Sequence, residues 1–326
     1  MRLHAIGDVA LILPAAASLR AMMPGTRIDL VTSPAAAGLA DAAELFHGIF
    51  TCVTAGSRTA RLLRALRLGG TLRRRRYDLV IDLQRNWMTR IMRRIASPPS
   101  WGEFDRFSLR PAWIRITDTI TRSGLDFPKR PPSVCIPPAR AQQARALLAA
   151  HGHREGRMLV IINPGGLWPT RNWPERNYVE LCIRWREAMP VTFLILGTER
   201  VRRVASAIHG AVGPDVIDLS HSTTLREAFE VLSLADVMVT EDSGLMHMAW
   251  AAGVPIVALF GSSRHQWSAP YGERSVTLDS SDLPCCACME PACRFGDVHC
   301  LTRYSPELIL AEALNLLKST PTLEHH

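Results

Sequence analysis

Two short segments in the second half of the chain place glycines and polar side chains directly after apolar, strand-like runs. In the first segment, residues 163–174, Gly165 and Gly166 let backbone N–H groups approach an anion closely. Thr170 and Arg171 follow, and a guanidinium can bind a diphosphate through two hydrogen bonds at once. The segment therefore predicts an anion site, although an ordinary strand-to-helix turn with an exposed arginine contains the same residue types.

The second segment, residues 240–247, also follows an apolar run and begins a predicted helix. Asp242 or Ser243 can cap that helix, and the small Ser243-Gly244 pair leaves room for a ligand at its N-terminus. His247 lies one turn into the same helix. Each feature alone is common in helix starts and protein cores, but two such turns in one domain favour a nucleotide diphosphate site.

A carboxylate also stands at the start of the first predicted helix of the chain, in the sequence Ile6-Gly7-Asp8. An acidic residue in this place most often caps the helix. It can also take a proton from a hydroxyl, since a general base needs only to be ionised and within hydrogen-bond reach. Asp8 is therefore either a helix cap or a candidate general base.

The elements that must position these residues alternate between strands and helices, which predicts parallel sheets covered by helices. The predicted strands are 27–32, 77–83, 158–162, 191–196, 216–219, 237–240 and 255–260, and the predicted helices include 34–43, 60–76, 177–188 and 224–234. Thr224 and Glu227 have the spacing of a capping box, and Ser305-Pro306 is expected to open the last helix. The fold class expected from this pattern is α/β.

A proline-rich stretch, 127–138, indicates a division into two domains. We expect an N-terminal domain over residues 1–150, with a linker at about 127–156, and a C-terminal domain over 157–326. The last four residues, 323–326, look like the remnant of a purification tag and are excluded from the fold.

The composition is typical of a globular protein, with 47% hydrophobic and 21% charged residues among 326. The net charge of +8 comes almost entirely from arginine and favours acidic partners, or it reflects only a compositional bias. The apolar runs 9–19 and 245–263 are too short or too interrupted to predict a membrane span. Eight cysteines without a secretion signal indicate a reducing compartment, so we expect a cytoplasmic protein. No recognisable module predicts nucleic-acid binding.

In their order and spacing, these residues resemble glycosyltransferase family 9, the heptosyltransferases of lipopolysaccharide core synthesis. The similar segments cover nearly the whole chain and are 2–9, 77–84, 101–105, 163–174, 242–247 and 259–263. The resemblance implies a GT-B fold, in which two Rossmann-like domains face each other across a cleft. It also implies an inverting transfer of a sugar, heptose from ADP-heptose, to a hydroxyl of a lipid-linked lipopolysaccharide-core acceptor. The absence of an Asp-x-Asp motif agrees with a reaction that needs no cofactor and no divalent metal.

The resemblance places the catalytic base on Asp8 and the acceptor-binding residues on Gln84 and Arg85, the latter replacing a usual glycine. The expected donor-binding residues are Gly165, Gly166, Thr170, Arg171, Glu199, Asp242, Ser243, Gly244 and His247. Arg171 stands where relatives commonly have lysine. Two alternatives remain at this point: a nucleotide-sugar epimerase or hydrolase of the same fold, and a non-catalytic nucleotide-binding scaffold.

Two further features allow more than one interpretation. Cys285, Cys288, Cys293 and Cys300 could hold a structural zinc ion, or the segment could be free of metal. The predicted helix 60–76 and the residues before it carry arginines on one side and three leucines, Leu62, Leu63 and Leu66, on the other. Such a helix can rest on an anionic membrane, with peripheral contact to the inner membrane, or it can pack its leucines inward.

Overall fold

The computed structural model describes residues 1–319, so the expected tag remnant at 323–326 lies outside the described residues. The chain divides into two compact units, Met1–Val134 and Cys135–His326. Within the described part of the chain, none of the helices combines the length and the apolar character that a bilayer span requires.

The first unit contains two small parallel sheets. Strand β1 (Asp29–Thr32) pairs with β2 (Gly48–Thr51), and β3 (Leu79–Asp82) pairs with β4 (Ser100–Glu103). The N-terminal residues lie between the two sheets: the Arg2 N–H donates to the Val31 carbonyl (2.9 Å), and the Leu83 N–H donates to the Met1 carbonyl (3.0 Å). These backbone hydrogen bonds fix the direction in which the chain enters its first helix.

Six helices accompany these strands: α1 (Ile6–Ala10), α2 (Leu13–Met22), α3 (Pro34–Ala42), α4 (Arg58–Arg75), α5 (Trp87–Ala96) and α6 (Ala112–Thr121). Helix α4 buries Ala65, Gly69 and Leu72, which belong to the same face, against α5. A Cβ atom on Gly69 would lie only 2.9 Å from the Cβ of Ile95, so glycine permits the close approach of the two helices.

The expected separation of arginines and leucines on α4 is wrong in one respect. Leu62, Leu63 and Leu66 are exposed, whereas Arg61 and Arg64 are half-buried. Gly69 stands where α5 approaches α4 most closely, and Ala65 and Leu72 are buried beside it, whereas Leu62, Leu63 and Leu66 stay exposed.

The second unit contains one parallel sheet of six strands. They are β5 (Met158–Asn163), β6 (Val191–Ile195), β7 (Val216–Asp218), β8 (Val237–Glu241), β9 (Ile256–Leu259) and β10 (Ser275–Leu278). The spatial order is β7-β6-β5-β8-β9-β10. This is the 3-2-1-4-5-6 order of dinucleotide-binding folds, in which ligands bind beyond the carboxyl ends of the strands where the order reverses. The reversal lies between β5 and β8.

The helices of the second unit are α7 (Pro138–Ala150), α8 (Glu175–Ala188), α9 (Arg202–Val212), α10 (Leu225–Leu232), α11 (Gly244–Ala252), α12 (His265–Ser268), α13 (His299–Thr302) and α14 (Pro306–Ser319). Strands β5, β6, β8 and β9 are almost wholly buried, as expected for a parallel sheet with helices on both faces. The core contains Trp185, Tyr178 and Phe193 among the largest side chains.

The seven predicted strands are all confirmed, with ends shifted by one or two residues. The capping box at Thr224 and Glu227 is confirmed by reciprocal hydrogen bonds, and the last helix begins at Pro306 as predicted. The expected linker range of about 127–156 contains helix α7, which belongs to the second unit, and the boundary between the units follows Val134. Strands β2, β4 and β10 were not predicted, since none of them contains a longer continuous run of Ile, Val and Leu.

Candidate functional site

The carboxyl ends of β5 and β8 bring the two predicted anion segments together at the point where the strand order reverses. The Asn163 side-chain amide donates to the hydroxyls of Thr240 (2.8 Å) and Ser243 (2.6 Å). Ser243 also caps α11, because its hydroxyl accepts from the N–H of Met246 (3.2 Å). The first segment is thus fastened directly to the start of α11, with Gly244 as the first helical residue and the half-buried His247 in the first turn.

Arg171 and Asp242, both predicted donor-binding residues, form an ion pair at this place. Arg171 Nη1 lies 3.1 Å from Asp242 Oδ2, and the two side chains are only 13% and 12% exposed. The guanidinium carbon lies 4.2 Å from the centre of the Trp168 ring, a distance typical of a cation–π contact. Contacts on two sides therefore hold a positive charge beside the N-terminus of α11, where an anion is favoured.

Glu241 is the main site residue that was not assigned a role from the sequence. Its carboxylate is fully buried and accepts hydrogen bonds from the N–H groups of Gly166 (2.7 Å) and Trp173 and from the Tyr178 hydroxyl (3.0 Å). With its amide oriented to satisfy the network, Asn172 donates to the same carboxylate (3.1 Å). Glu241 therefore ties the end of β8 to both halves of the 163–174 segment.

Burial raises the pKa of Glu241 to about 8, against the opposing effect of the hydrogen bonds from Trp173, Gly166 and Tyr178. The structure pairs this carboxylate with neutral donors only. The only sequence signal for this arrangement was an acidic residue at the end of an otherwise apolar strand.

Gly166 is required by this network because its backbone passes close to other groups. A Cβ atom there would lie 2.5 Å from the Arg171 carbonyl oxygen and 2.8 Å from Glu241 Oε2, and it would also meet the Asn172 amide. The glycine was predicted to let an anion approach the backbone. In the structure, the group that approaches its N–H is the Glu241 carboxylate, so Gly166 shapes the segment from within.

Thr170 has its hydroxyl engaged by protein groups. The side chain is buried, its Oγ1 lies 2.9 Å from the Ser262 hydroxyl, and it donates to the Glu290 carbonyl (2.5 Å). This position joins the 163–174 segment to the turn after β9. A contact between Thr170 and a donor stays a prediction, and the observed contacts give the residue a supporting role.

Glu199 lies in a short 3₁₀ turn after β6, at the same edge of the sheet as the two anion segments. Its carboxylate is 65% exposed and lies 3.0 Å from Arg202 Nε and 3.4 Å from His221 Nε2. The residue therefore presents an accessible acceptor in the turn after β6, the strand next to β5, and a carboxylate there suits the hydroxyl groups of a ribose or a sugar.

In the first unit, Asp8 occupies the third position of α1 and is 36% exposed. Its Oδ2 accepts from the N–H of Ala5 (2.9 Å), which is a helix-capping contact, and lies 2.7 Å from Arg2 Nη2. The N-cap residue of α1 is Ala5, so Asp8 is not itself the N-cap, although its carboxylate accepts from the N-cap backbone N–H. The exposed carboxylate, oriented by a guanidinium, also has the properties that a general base needs.

The two predicted acceptor-binding residues hold the entry to α1 and the adjacent loop. Gln84 Oε1 accepts from the N–H groups of Leu3 (2.9 Å) and His4 (3.2 Å). Arg85 Nη1 donates to the Phe104 carbonyl (3.3 Å). Whether either side chain also meets an acceptor stays a prediction.

Two arginines beside Asp8 had no role in the sequence prediction. The guanidinium carbons of Arg2 and Arg115 lie 5.4 and 5.0 Å from the centre of the Phe104 ring. The pKa of Arg115 is lowered, mainly by burial and to a lesser extent by the positive charge of Arg2. Positive charge is therefore concentrated around Asp8.

The cysteine-rich segment lines a cavity of about 620 Å³ in the second unit, together with Thr170, Gly261 and Ser262. Burial and the neighbouring thiols raise the pKa of Cys300 to about 11, whereas backbone N–H groups lower the pKa of Cys293. All eight cysteines have free thiols. Across residues 1–319, the side chains of His, Cys, Asp and Glu form no group of three or more arranged to hold a metal ion.

Comparison with known proteins agrees with this architecture. Residues 65–299 match glycosyltransferase family 9 (heptosyltransferase). Lipopolysaccharide heptosyltransferase 1 of Pseudomonas aeruginosa is 26% identical over 366 residues, covering 99% of this chain and 98% of the relative.

Two solved structures have the same fold. A glycosyl transferase of family 9 from Veillonella parvula has a TM-score of 0.80 at 19% identity, covering 98% of this chain and 96% of its own. The ADP-heptose lps heptosyltransferase II of Escherichia coli has a TM-score of 0.76 at 18% identity, covering 97% of both chains. The predicted α/β fold class is confirmed.

The dinucleotide-type sheet, with its polar segments at the strand reversal, and the family match define the chain as a glycosyltransferase. The family match covers well over half of the chain, so the protein belongs to glycosyltransferase family 9.

Proposed function

We propose that the protein transfers heptose from ADP-heptose to a hydroxyl of a lipopolysaccharide-core acceptor, with inversion at the anomeric carbon and without a divalent metal. The observation that carries this proposal is the buried Arg171–Asp242 pair beside the start of α11, within a chain of family 9. The names of similar proteins, lipopolysaccharide heptosyltransferase 1 and ADP-heptose lps heptosyltransferase II, support the choice of donor and acceptor.

In the proposed donor site, the diphosphate binds at the N-terminus of α11 and takes a charge-assisted hydrogen bond from Arg171. Asp242 holds the guanidinium in place, and Glu199 accepts hydrogen bonds from ligand hydroxyls. As the glycosidic C–O bond breaks, negative charge accumulates on the leaving nucleoside diphosphate. Arg171 and the helix dipole stabilise this charge, which is the role that a divalent cation has in other enzymes.

The proposed base is Asp8. The acceptor oxygen attacks the anomeric carbon, its proton moves to the Asp8 carboxylate, and ADP leaves from the opposite side of the sugar. This single displacement inverts the anomeric configuration. Arg2 orients the carboxylate before the reaction, because its Nη2 lies 2.7 Å from Asp8 Oδ2.

A lipid-linked acceptor places the reaction at the cytoplasmic surface of the inner membrane, and we propose peripheral contact with that membrane. Arg2, Arg85 and Arg115 supply positive charge beside Asp8, which suits a phosphorylated acceptor.

Calorimetric titration with ADP, UDP, GDP and CDP in buffer containing a chelator tests the donor assignment. We expect selective binding of ADP, followed by transfer from ADP-heptose to the acceptor in the same buffer, with the opposite anomeric configuration in the product by NMR. Preferential binding of another nucleotide would refute the assignment of ADP-heptose as the donor. Dependence of transfer on added Mg²⁺ would refute metal independence, and retained configuration would refute the single displacement.

A further inference from the structure

The outer face of α4 carries leucines that no other part of its unit covers. Leu62, Leu63 and Leu66 are 39%, 64% and 44% exposed. Their spacing of three and four residues puts them side by side on one face of the helix. Ala65, Gly69 and Leu72 pack against α5. Leu62 borders this buried stripe, because it precedes Ala65 by three residues and Gly69 by seven, whereas Leu63 lies on the side away from it.

The same face is strongly basic. Arg58 lies one turn before Leu62, Arg67 one turn after Leu63, and Arg73 and Arg74 follow on the next two turns, all of them exposed. The surrounding segment, residues 52–77, contains eight arginines and no acidic residue. We call the seven residues Arg58, Leu62, Leu63, Leu66, Arg67, Arg73 and Arg74 the outer α4 surface.

We propose that the outer α4 surface docks onto an anionic phospholipid bilayer. Leucines flanked by arginines on an exposed helix match the chemistry of a membrane interface, where apolar side chains enter the acyl boundary and guanidinium groups contact lipid phosphates. The charge favours an anionic layer over a neutral one. The adjacent leucines favour lipid over nucleic acid, since exposed aliphatic side chains gain from entering an acyl layer and make no favourable contact with nucleic-acid phosphates.

The helix lies flat on the membrane in this arrangement, because its inner face stays packed on α5. This inference rests on the proposed function in one respect: it names the surface through which an enzyme with a lipid-linked acceptor reaches its substrate. Binding to vesicles can nevertheless be measured without donor or acceptor.

The test is co-sedimentation of the intact protein with phosphatidylglycerol–phosphatidylcholine vesicles and with pure phosphatidylcholine vesicles. We expect binding to the anionic vesicles only, with loss at high salt. The double variant Leu63→Gln/Leu66→Gln should weaken binding by about tenfold or more, because two apolar side chains no longer enter the interface. The matched control is Leu109→Gln/Leu308→Gln, which changes leucines of similar exposure, 61% and 38%, elsewhere.

Charge is tested separately. The triple variant Arg67→Gln/Arg73→Gln/Arg74→Gln should weaken binding by about 100-fold, at about fivefold for each arginine near an anionic surface. Its control, Arg145→Gln/Arg154→Gln/Arg176→Gln, removes the same charge from exposed positions of the second unit. If both triple variants lose binding equally, the effect is one of net charge and the proposal is wrong.

Other occupants would give different results. The proposal would be overturned if the wild type bound duplex DNA, the arginine variant lost that binding, and the leucine variant kept its binding to vesicles. That combination would indicate a surface for polyanions in general. A dimer in solution that the leucine variant converts to monomer would indicate self-association instead. Transfer to a water-soluble acceptor fragment separates this inference from the proposed function. The leucine variant should transfer the sugar to this soluble acceptor as well as the wild type does. If the wild type itself showed no transfer, the proposed function would be refuted and the vesicle result would be unaffected.

Discussion

The two units hold their candidate site residues by opposite means. In the second unit, Glu241 is wholly buried and satisfied by backbone and side-chain donors, and it fixes a loop between two strands of one continuous sheet. In the first unit, Asp8 is partly exposed and is held by one backbone N–H and one arginine on a five-residue helix.

The difference follows from what each carboxylate is proposed to do. A residue that shapes a binding loop gains from burial, since each hydrogen bond is stronger away from water. A base must meet its substrate, so it must keep an accessible oxygen. We therefore propose that Glu241 maintains the shape of the binding loop and that Asp8 takes part in the reaction. Four predictions test this contrast.

The largest effect is expected for Asp8→Asn. An amide cannot accept the proton from the acceptor, so the transfer rate should fall by about 10²–10⁴-fold. ADP binding measured by calorimetry should stay unchanged, because the donor residues belong to the second unit. The exposed Asp78→Asn in the same unit is the control and should keep full activity. Undiminished transfer by Asp8→Asn would show that another group is the base.

Arg171→Met should weaken ADP binding by about 10- to 100-fold, because charge-assisted hydrogen bonds contribute about 1.5–3 kcal/mol each. The variant also leaves Asp242 without its cation, which adds repulsion toward a diphosphate. Arg176→Met removes the same charge from an exposed position five residues later and serves as the control. If calorimetry gave the two variants the same affinity for ADP, Arg171 would not be a donor-binding residue.

Gly166→Ala tests whether the buried network shapes the loop. The added methyl would meet the Arg171 carbonyl and the Glu241 carboxylate, so we expect a loss of about 1–3 kcal/mol in the free energy of unfolding. ADP affinity should fall in parallel. Gly210→Ala lies inside α9 with open space around it and should instead gain up to about 1 kcal/mol. Chemical denaturation measures both, and a neutral Gly166→Ala would contradict the observed close approach.

The last prediction concerns the pH dependence of Glu241, whose effect within any one pH unit is small. Its folded-state pKa of about 8 lies above the ordinary value of 4.5, so the folded protein binds more protons than the unfolded chain between these values. This group's contribution to stability is therefore fully present below pH 4.5 and is lost as the pH rises to about 8, by at most about 1.4 kcal/mol per pH unit.

Glu241→Gln has no titrating group, so its stability should decline less steeply across that window than that of the wild type. Denaturation midpoints at several pH values measure the slopes. The exposed Glu187→Gln on α8 is the control and should keep the wild-type slope. Parallel curves for Glu241→Gln and the wild type would mean that Glu241 does not carry the shift.

The sequence predicted the strands and helices correctly where a local pattern of residues is enough to identify them. The buried strands of the second unit were found because parallel strands form continuous apolar runs, and the helix starts at Thr224 and Pro306 were found from their capping chemistry. The short strands β2 and β4 escaped detection because neither contains a longer continuous run of Ile, Val and Leu.

For the site, motif spacing placed Arg171, Asp242 and Ser243 in polar turns that follow strands, where the structure also has them, because a strand followed by a polar turn and a helix start is a local feature. The functional roles of these residues and of Asp8 stay predictions. Motif spacing missed the Glu241 network, whose partners lie 63 to 75 residues away in the chain. It also missed the hydrogen bond from Gly166 to Glu241, since a glycine that admits a ligand and a glycine that admits a buried side chain have the same sequence signature.

The sequence by itself determined the fold class, the family and the positions of the polar turns, because these depend on periodicity and on residue order along the chain. Only the tertiary structure decided which groups the polar side chains meet, as Glu241 meets Gly166 and Tyr178, and that Leu62, Leu63 and Leu66 of α4 stay exposed while Leu72 is buried. The physical reason is that burial and hydrogen-bond partners are set by packing between distant segments, which no local pattern encodes.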